Sequence, residues 1–185
     1  MKNRVPLEAL KSLLQEQAPV RARRDLGVLP GSEPPHPLRA GQIIEVLGEG
    51  RWGWCMRLLR ERESSRAAWL SLDQALLFPM ALAQEGIALS RILFLERVPA
   101  LQGLDVLLPV LRSRLFEVVM MDQGLLPRMR QDAQIRKVQL TAEEAGAAVL
   151  VLSQFPTNSY GVQVRVETGP GREFRLEKVK GGTGE

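Results

Sequence analysis

Gly48, Gly50 and Gly53 stand in the stretch Ile43 to Cys55, IIEVLGEGRWGWC, and the first and last of them keep the spacing G-x-x-x-x-G. That spacing belongs to loops whose backbone N–H groups cradle phosphates, with a lysine on the terminal phosphates and a Ser/Thr hydroxyl on Mg²⁺. Here Trp54 and Cys55 occupy the lysine and hydroxyl places. An indole carries no charge and can fill phosphate space, and a thiol is a poor ligand for a hard cation that prefers oxygen. The stretch therefore has the outline of a phosphate loop without its chemistry. The plainer alternative is a tight turn between a strand and a helix, with Trp52 and Trp54 packed against that helix.

Composition removes most other chemistry. Cys55 is the only cysteine and His36, inside GSEPPHPLRAG, the only histidine. Disulfide frameworks, Cys/His zinc sites and a histidine-based triad are thereby excluded. Nothing near Cys55 in sequence marks it as activated, so it is expected to be an inert small residue. The formal charge is +4, from 25 basic and 21 acidic residues, with arginines grouped at Arg21, Arg23 and Arg24, at Arg57, Arg60, Arg62 and Arg66, and at Arg128, Arg130 and Arg136. Such groups permit contact with phosphates, but no aromatic residues are interleaved to stack bases. At most weak, non-specific and salt-sensitive DNA binding is expected.

The elements that position these residues alternate along the chain. Apolar residues make up 45% of the 185 residues and charged ones 25%, the balance of one α/β domain built on aliphatic packing. Pro6 to Gln17 is expected to be a short amphipathic helix with Leu7, Leu10 and Leu14 on one side, and Ala18 to Arg24 a linker. Leu29 to Gly41, rich in proline and glycine, is loop. A strand at 43–47 leads into a helix ending near Ser64; strand 67–72, short helix 79–84, strand 92–95 and helix 101–115 follow, with a kink expected at Pro109. Strand 117–122 ends on Asp122, helix 127–145 leads to strand 147–154, and strands 161–168 and 173–179 form a hairpin about Gly169, Pro170 and Gly171. The domain organisation expected is an N-terminal arm at 1–25, a core at 26–180 and a flexible tail at 181–185. The N-terminus lacks the apolar core of a signal peptide, and no later apolar run is long enough to span a membrane, so a cytoplasmic location is expected.

The order of these segments resembles the core of the RecA family of recombinases over about residues 26 to 180. IIEVLGEGRWGWCMRLL resembles that family's strand, phosphate loop and helix. WLSLDQALLFPMALAQEGIALSRIL is similar to its second strand, catalytic-glutamate segment, proline, and following helix and strand. FEVVMMD resembles the strand ending in the metal-associated aspartate, here Asp122. AAVLVLSQF is similar to the strand ending in the glutamine that senses nucleotide and DNA, here Gln154, and YGVQVRVETGPGREFRLEKVKG to the closing hairpin. The resemblance implies a mostly parallel sheet with helices on both faces.

Departures from the pattern shape the functional expectation. Gln74 falls in the place of the catalytic glutamate and cannot act as a general base, although Asp73 lies beside it. The loops after Asp122 and Gln154 are short, and the family's C-terminal domain is missing from this sequence. With lysine, hydroxyl and base absent together, neither ATPase activity nor a bound cofactor or metal is expected, and Asp122 is either a vestigial metal ligand or simply a carboxylate at a strand end. Changing Trp54 to Lys and Cys55 to Thr is expected to regain at most weak nucleotide binding.

Small RecA-like proteins of this kind form two bacterial groups tied to DNA damage: ImuA, an accessory protein of error-prone translesion synthesis, and SulA, an inhibitor of cell division. The chain looks more like the first. That resemblance implies a non-hydrolysing accessory protein binding a RecA filament or a translesion polymerase subunit. The alternatives are a SulA-like protein binding the division tubulin FtsZ, and an ATPase with an atypical loop. The arm's leucines, Leu7, Leu10 and Leu14, are expected to pack either on their own core or on another molecule, which would include self-association.

Overall fold

Short aliphatic runs punctuated by glycine, proline and charge build a single sheet, because each run is too short for a helix and buried on both sides. The computed structural model describes residues 26–32, 35–72, 79–125, 132–157, 161–170 and 174–177. Along the chain the elements are β1 (Ile43–Gly48), α1 (Arg51–Arg60), β2 (Ala67–Leu70), α2 (Pro79–Gln84), β3 (Ile92–Leu95) and α3 (Gly103–Arg112). They continue with β4 (Val118–Asp122), α4 (Asp132–Ala145), β5 (Ala148–Ser153), β6 (Val164–Thr168) and β7 (Phe174–Glu177). The sheet has seven strands in the order β3-β2-β4-β5-β1-β6-β7. All neighbouring pairs are parallel except β6 and β7, which form the terminal antiparallel pair. This is the mostly parallel α/β architecture with a closing hairpin that the segment pattern leads one to expect.

Strand alternation divides the core into two layers. Ile44, Val46, Trp69, Met120 and Leu150 join Trp54, Leu58 and Leu59 of α1 and Leu82 of α2. On the opposite face Ile43, Val119, Met121, Val149 and Val151 join Val106, Leu107, Val110 and Leu111 of α3 and Val138 and Ala142 of α4. Leu58 and Leu107 are fully buried, and each such leucine stabilises the fold by about 1.5–3 kcal/mol. The topology explains the split. From β1 the chain moves outward through β2 to β3, then returns inward through β4 to β5. Right-handed crossovers in opposite directions place α1 and α2 on one face and α3 and α4 on the other.

Some boundaries differ from the sequence expectation, and their causes are local. Helix α1 stops at Arg60, short of Ser64, where Arg91 gathers carbonyls on both sides of the helix end: its guanidinium donates to Leu59 O at 2.6 Å, to Ser65 O at 3.0 Å and to Arg62 O. Those contacts satisfy groups that would otherwise be left open at a helix C-terminus. Strand β2 ends at Leu70, and the next residues turn to other partners described below. Helix α3 continues through Pro109, and a 3-10 turn at Ala100–Gln102 precedes it. No helix among the described residues is long and apolar enough to cross a membrane. The arm at 1–25, with Leu7, Leu10 and Leu14, the tail at 181–185, and Asp73 and Gln74 lie outside the described residues.

Candidate functional site

In open α/β sheets the usual ligand position is beyond the carboxyl ends of the strands, where the crossover direction reverses. Three of the sequence candidates meet there. Gly48 closes β1, Asp122 closes β4, and Gln154 follows β5, which lies between those two strands. Register sets them side by side: Asp122 is opposite Leu152, and Leu47 is opposite Ser153.

At the exit of β1 the chain makes a turn, not an arch. Only Glu49 and Gly50 separate strand from helix, since α1 begins at Arg51. Gly53 is thus the third helical residue, and the spacing G-x-x-x-x-G is divided between a strand end and a helix. The expected loop from Gly48 to Gly53 is shortened because Arg51, Trp52 and Trp54 favour the helix enough to carry Gly53 with them, at a cost of about 1 kcal/mol relative to alanine. The N–H of Trp54, which stands in the lysine place, donates to Gly50 O at 3.0 Å. Gly48 has φ +91°, and a Cβ there would lie 1.9 Å from Thr168 O on the adjoining strand, so the position requires glycine for the strand contact itself. Thr168 Oγ1 in turn donates to Leu47 O.

Side chains in this stretch are directed into the protein. Trp54 is 4% exposed and Cys55 1%, both in the layer beneath α1. Trp54 Nε1 is buried without a hydrogen-bond partner among the described residues. Trp52 meets Trp69 edge to face with ring centroids 5.0 Å apart. Burial pushes the Cys55 thiol up to about 12, with Arg51 opposing weakly, so it stays protonated and unreactive at neutral pH. Arg51, the cation of the stretch, turns back to donate to Gly48 O at 2.8 Å. What remains is a plain helix N-terminus without the arch, lysine or hydroxyl that makes one into a nucleotide site. A lysine introduced in place of Trp54 would enter this apolar layer.

Asp122 is 8% exposed, and its Oδ2 accepts from Ser71 Oγ and from Leu72 N, each at 3.0 Å. The carboxylate thereby fastens the chain leaving β2 to the end of β4. These bonds occupy the oxygen facing β2. Among the described residues no three His, Cys, Asp or Glu side chains are placed to hold a metal. Gln154 is exposed.

The most buried charge in this region is one the sequence reading passed over. Glu45, in the middle of β1, is 0% exposed. Its Oε2 accepts from Arg165 Nε of β6 at 2.8 Å; its Oε1 accepts from Thr157 N at 2.7 Å and from Ser153 Oγ at 3.2 Å. Arg165 Nη2 also donates to Thr157 O at 3.1 Å. Both backbone groups of Thr157 are therefore held by one ion pair. The available signal was a lone carboxylate within the apolar run IIEVL. A cavity of about 410 Å³ lies beside the amino ends of β2 and β4, lined by Leu26, Val28, Arg62, Ser65 and Glu117 among others, and takes no part in this cluster.

The strand order and the helices on both faces define a mostly parallel α/β protein. Neither a protein-family model nor a curated protein matches the sequence. The crystal structure of SulA from Pseudomonas aeruginosa is among the solved structures that match: it is 21% identical, the match covers 61% of this chain and 98% of that chain, and the TM-score is 0.49.

Proposed function

We propose that the chain is a non-hydrolysing RecA-like accessory protein that acts by binding other proteins of the DNA-damage response. The observation that carries the first half is the exit of β1: a two-residue turn, Trp54 in the core, and Arg51 folded onto Gly48 O. Phosphate binding at a strand-to-helix junction needs N–H groups arched round the anion and a cation to neutralise it. In this stretch the arch is replaced by a two-residue turn, and the cation, Arg51, donates to Gly48 O. Asp122, bonded to Ser71 and Leu72, serves the fold. The damage-response assignment draws on the resemblance of the sequence segments to the RecA core. Its partner is a recombinase filament or a polymerase subunit of translesion synthesis, with DNA contacted weakly through arginine and phosphate alone.

The test is overexpression in a rod-shaped bacterial host together with binding measurements on the purified chain. Raised damage-induced mutagenesis and direct binding to recombinase filaments support this reading. Filamentous cells in the absence of DNA damage, with FtsZ bound by the purified protein, would transfer the assignment to division inhibition. A salt-resistant, nanomolar complex with single-stranded DNA would contradict both.

A further inference from the structure

We infer that the bridge Gln154–Pro156, which follows β5, is a preformed protein-contact anchor whose Phe155 side chain enters an uncharged apolar pocket on a partner protein. This deepens the protein-binding reading above and rests on it. Phe155 is 72% exposed, an uncommon state for an aromatic ring that is held in place. Its two ends are fixed from beneath. Ser153 Oγ donates to Glu45 at 3.2 Å, and the N–H and C=O of Thr157 are bonded to Glu45 and Arg165 at 2.7 and 3.1 Å. Pro156 fixes its own φ and biases Phe155 toward extended backbone. A fully buried carboxylate in a central strand adds little net stability even when paired, yet it can specify one conformation. The conformation specified here is that of a surface bridge whose exposed residues are Gln154, Phe155 and Pro156.

Charge identifies the kind of partner. Residues 154–157 read QFPT and carry no cation, and the guanidinium of Arg165 is already engaged by Glu45 and Thr157 O. Phosphate contact, which dominates nucleic-acid affinity, therefore has no donor in this bridge. Two further exposed apolar side chains lie on segments that follow other strands of the sheet. Met80, 70% exposed, follows the exit of β2, and Leu101, 78% exposed, follows that of β3. An exposed apolar ring on an uncharged bridge whose backbone is fixed matches the centre of a protein interface.

The test uses the full chain, a displayed library of random peptides and oligo(dT) as probes. Peptides selected on the unaltered protein should be rich in apolar residues and bind Phe155→Ala at least about tenfold more weakly, while Phe155→Trp stays within about twofold. Because Phe155 is exposed, both variants should fold. The positioning role of Glu45 is read separately: Glu45→Gln, or Arg165→Lys if the first variant fails to fold, should speed amide exchange at Thr157 and weaken the same peptides. Peptides indifferent to Phe155→Ala, or none that prefer the unaltered chain, would overturn the inference. Phe155-dependent binding of oligo(dT) would overturn it too, assigning the ring to base stacking. The peptide readout needs neither recombinase nor FtsZ, so failure of the anchor and failure of the damage-response reading are distinguishable.

Discussion

Two neighbouring strand exits treat the same problem in opposite ways. Where β1 ends, the chain turns within two residues and sends Trp54 and Cys55 into the core, with Arg51 folded back on Gly48 O. Where β5 ends, Glu45 and Arg165 grip the chain from below and Phe155 is turned outward. Strand β6 supports both exits, through Thr168 at the first and Arg165 at the second. The difference shows that neighbouring exits of one sheet can be fixed by different means, apolar packing at β1 and a buried ion pair at β5. At β1 the side chains that follow pack inward, and at β5 an ion pair holds the chain while leaving an apolar ring exposed.

The comparison breaks most severely at Trp54. Trp54→Lys should destabilise the protein by at least about 4 kcal/mol in chemical denaturation, because it removes a buried indole and places an ammonium in its space. A folded variant of near-normal stability that gained nucleotide affinity would show that the β1 exit opens easily. Next in size, Glu45→Ala should cost about 3–5 kcal/mol, since Arg165 is left without its buried carboxylate, whereas replacing both residues by apolar side chains of similar volume should restore most of the stability. Amide exchange at Thr157 should nonetheless stay fast in the double variant, separating the clasp from simple stability.

Gly48→Ala sharpens the contrast at the other exit. Positive φ and the 1.9 Å approach to Thr168 O make a loss of about 2–3 kcal/mol the expected outcome, measured as a shift in the denaturation midpoint at unchanged slope. An alanine tolerated there would mean that β1 and β6 part readily. Smallest of all is Phe155→Ser, expected to change stability by less than about 0.5 kcal/mol, as befits a side chain outside the core.

Much of the scaffold was legible in the sequence because its signals are local. Apolar runs locate β1, β3, β4 and β5 to within a residue or two, Pro79 marks the start of α2, and the Gly-Pro-Gly turn separates β6 from β7. The site was less legible, and the reason is physical. Glycine spacing does not distinguish an arch from a strand end followed by a helix, since Gly53 is tolerated in α1 at modest cost. Glu45 interrupts the apolar run of β1, but its partner Arg165 lies 120 residues away, so nothing near it in sequence shows that the charge is buried and paired. The same holds for Asp122, whose position at a strand end was evident while its bonds to Ser71 and Leu72, some 50 residues distant, were not.

The closed exit of β1 is tested most directly by isothermal titration of the full-length protein with ATP and Mg²⁺, followed by an assay for released phosphate. The expected result is no binding stronger than about 1 mM and no phosphate above background. Micromolar binding accompanied by turnover would contradict it, and the chain would then be a nucleotide-hydrolysing enzyme using a loop unlike the one its spacing suggests.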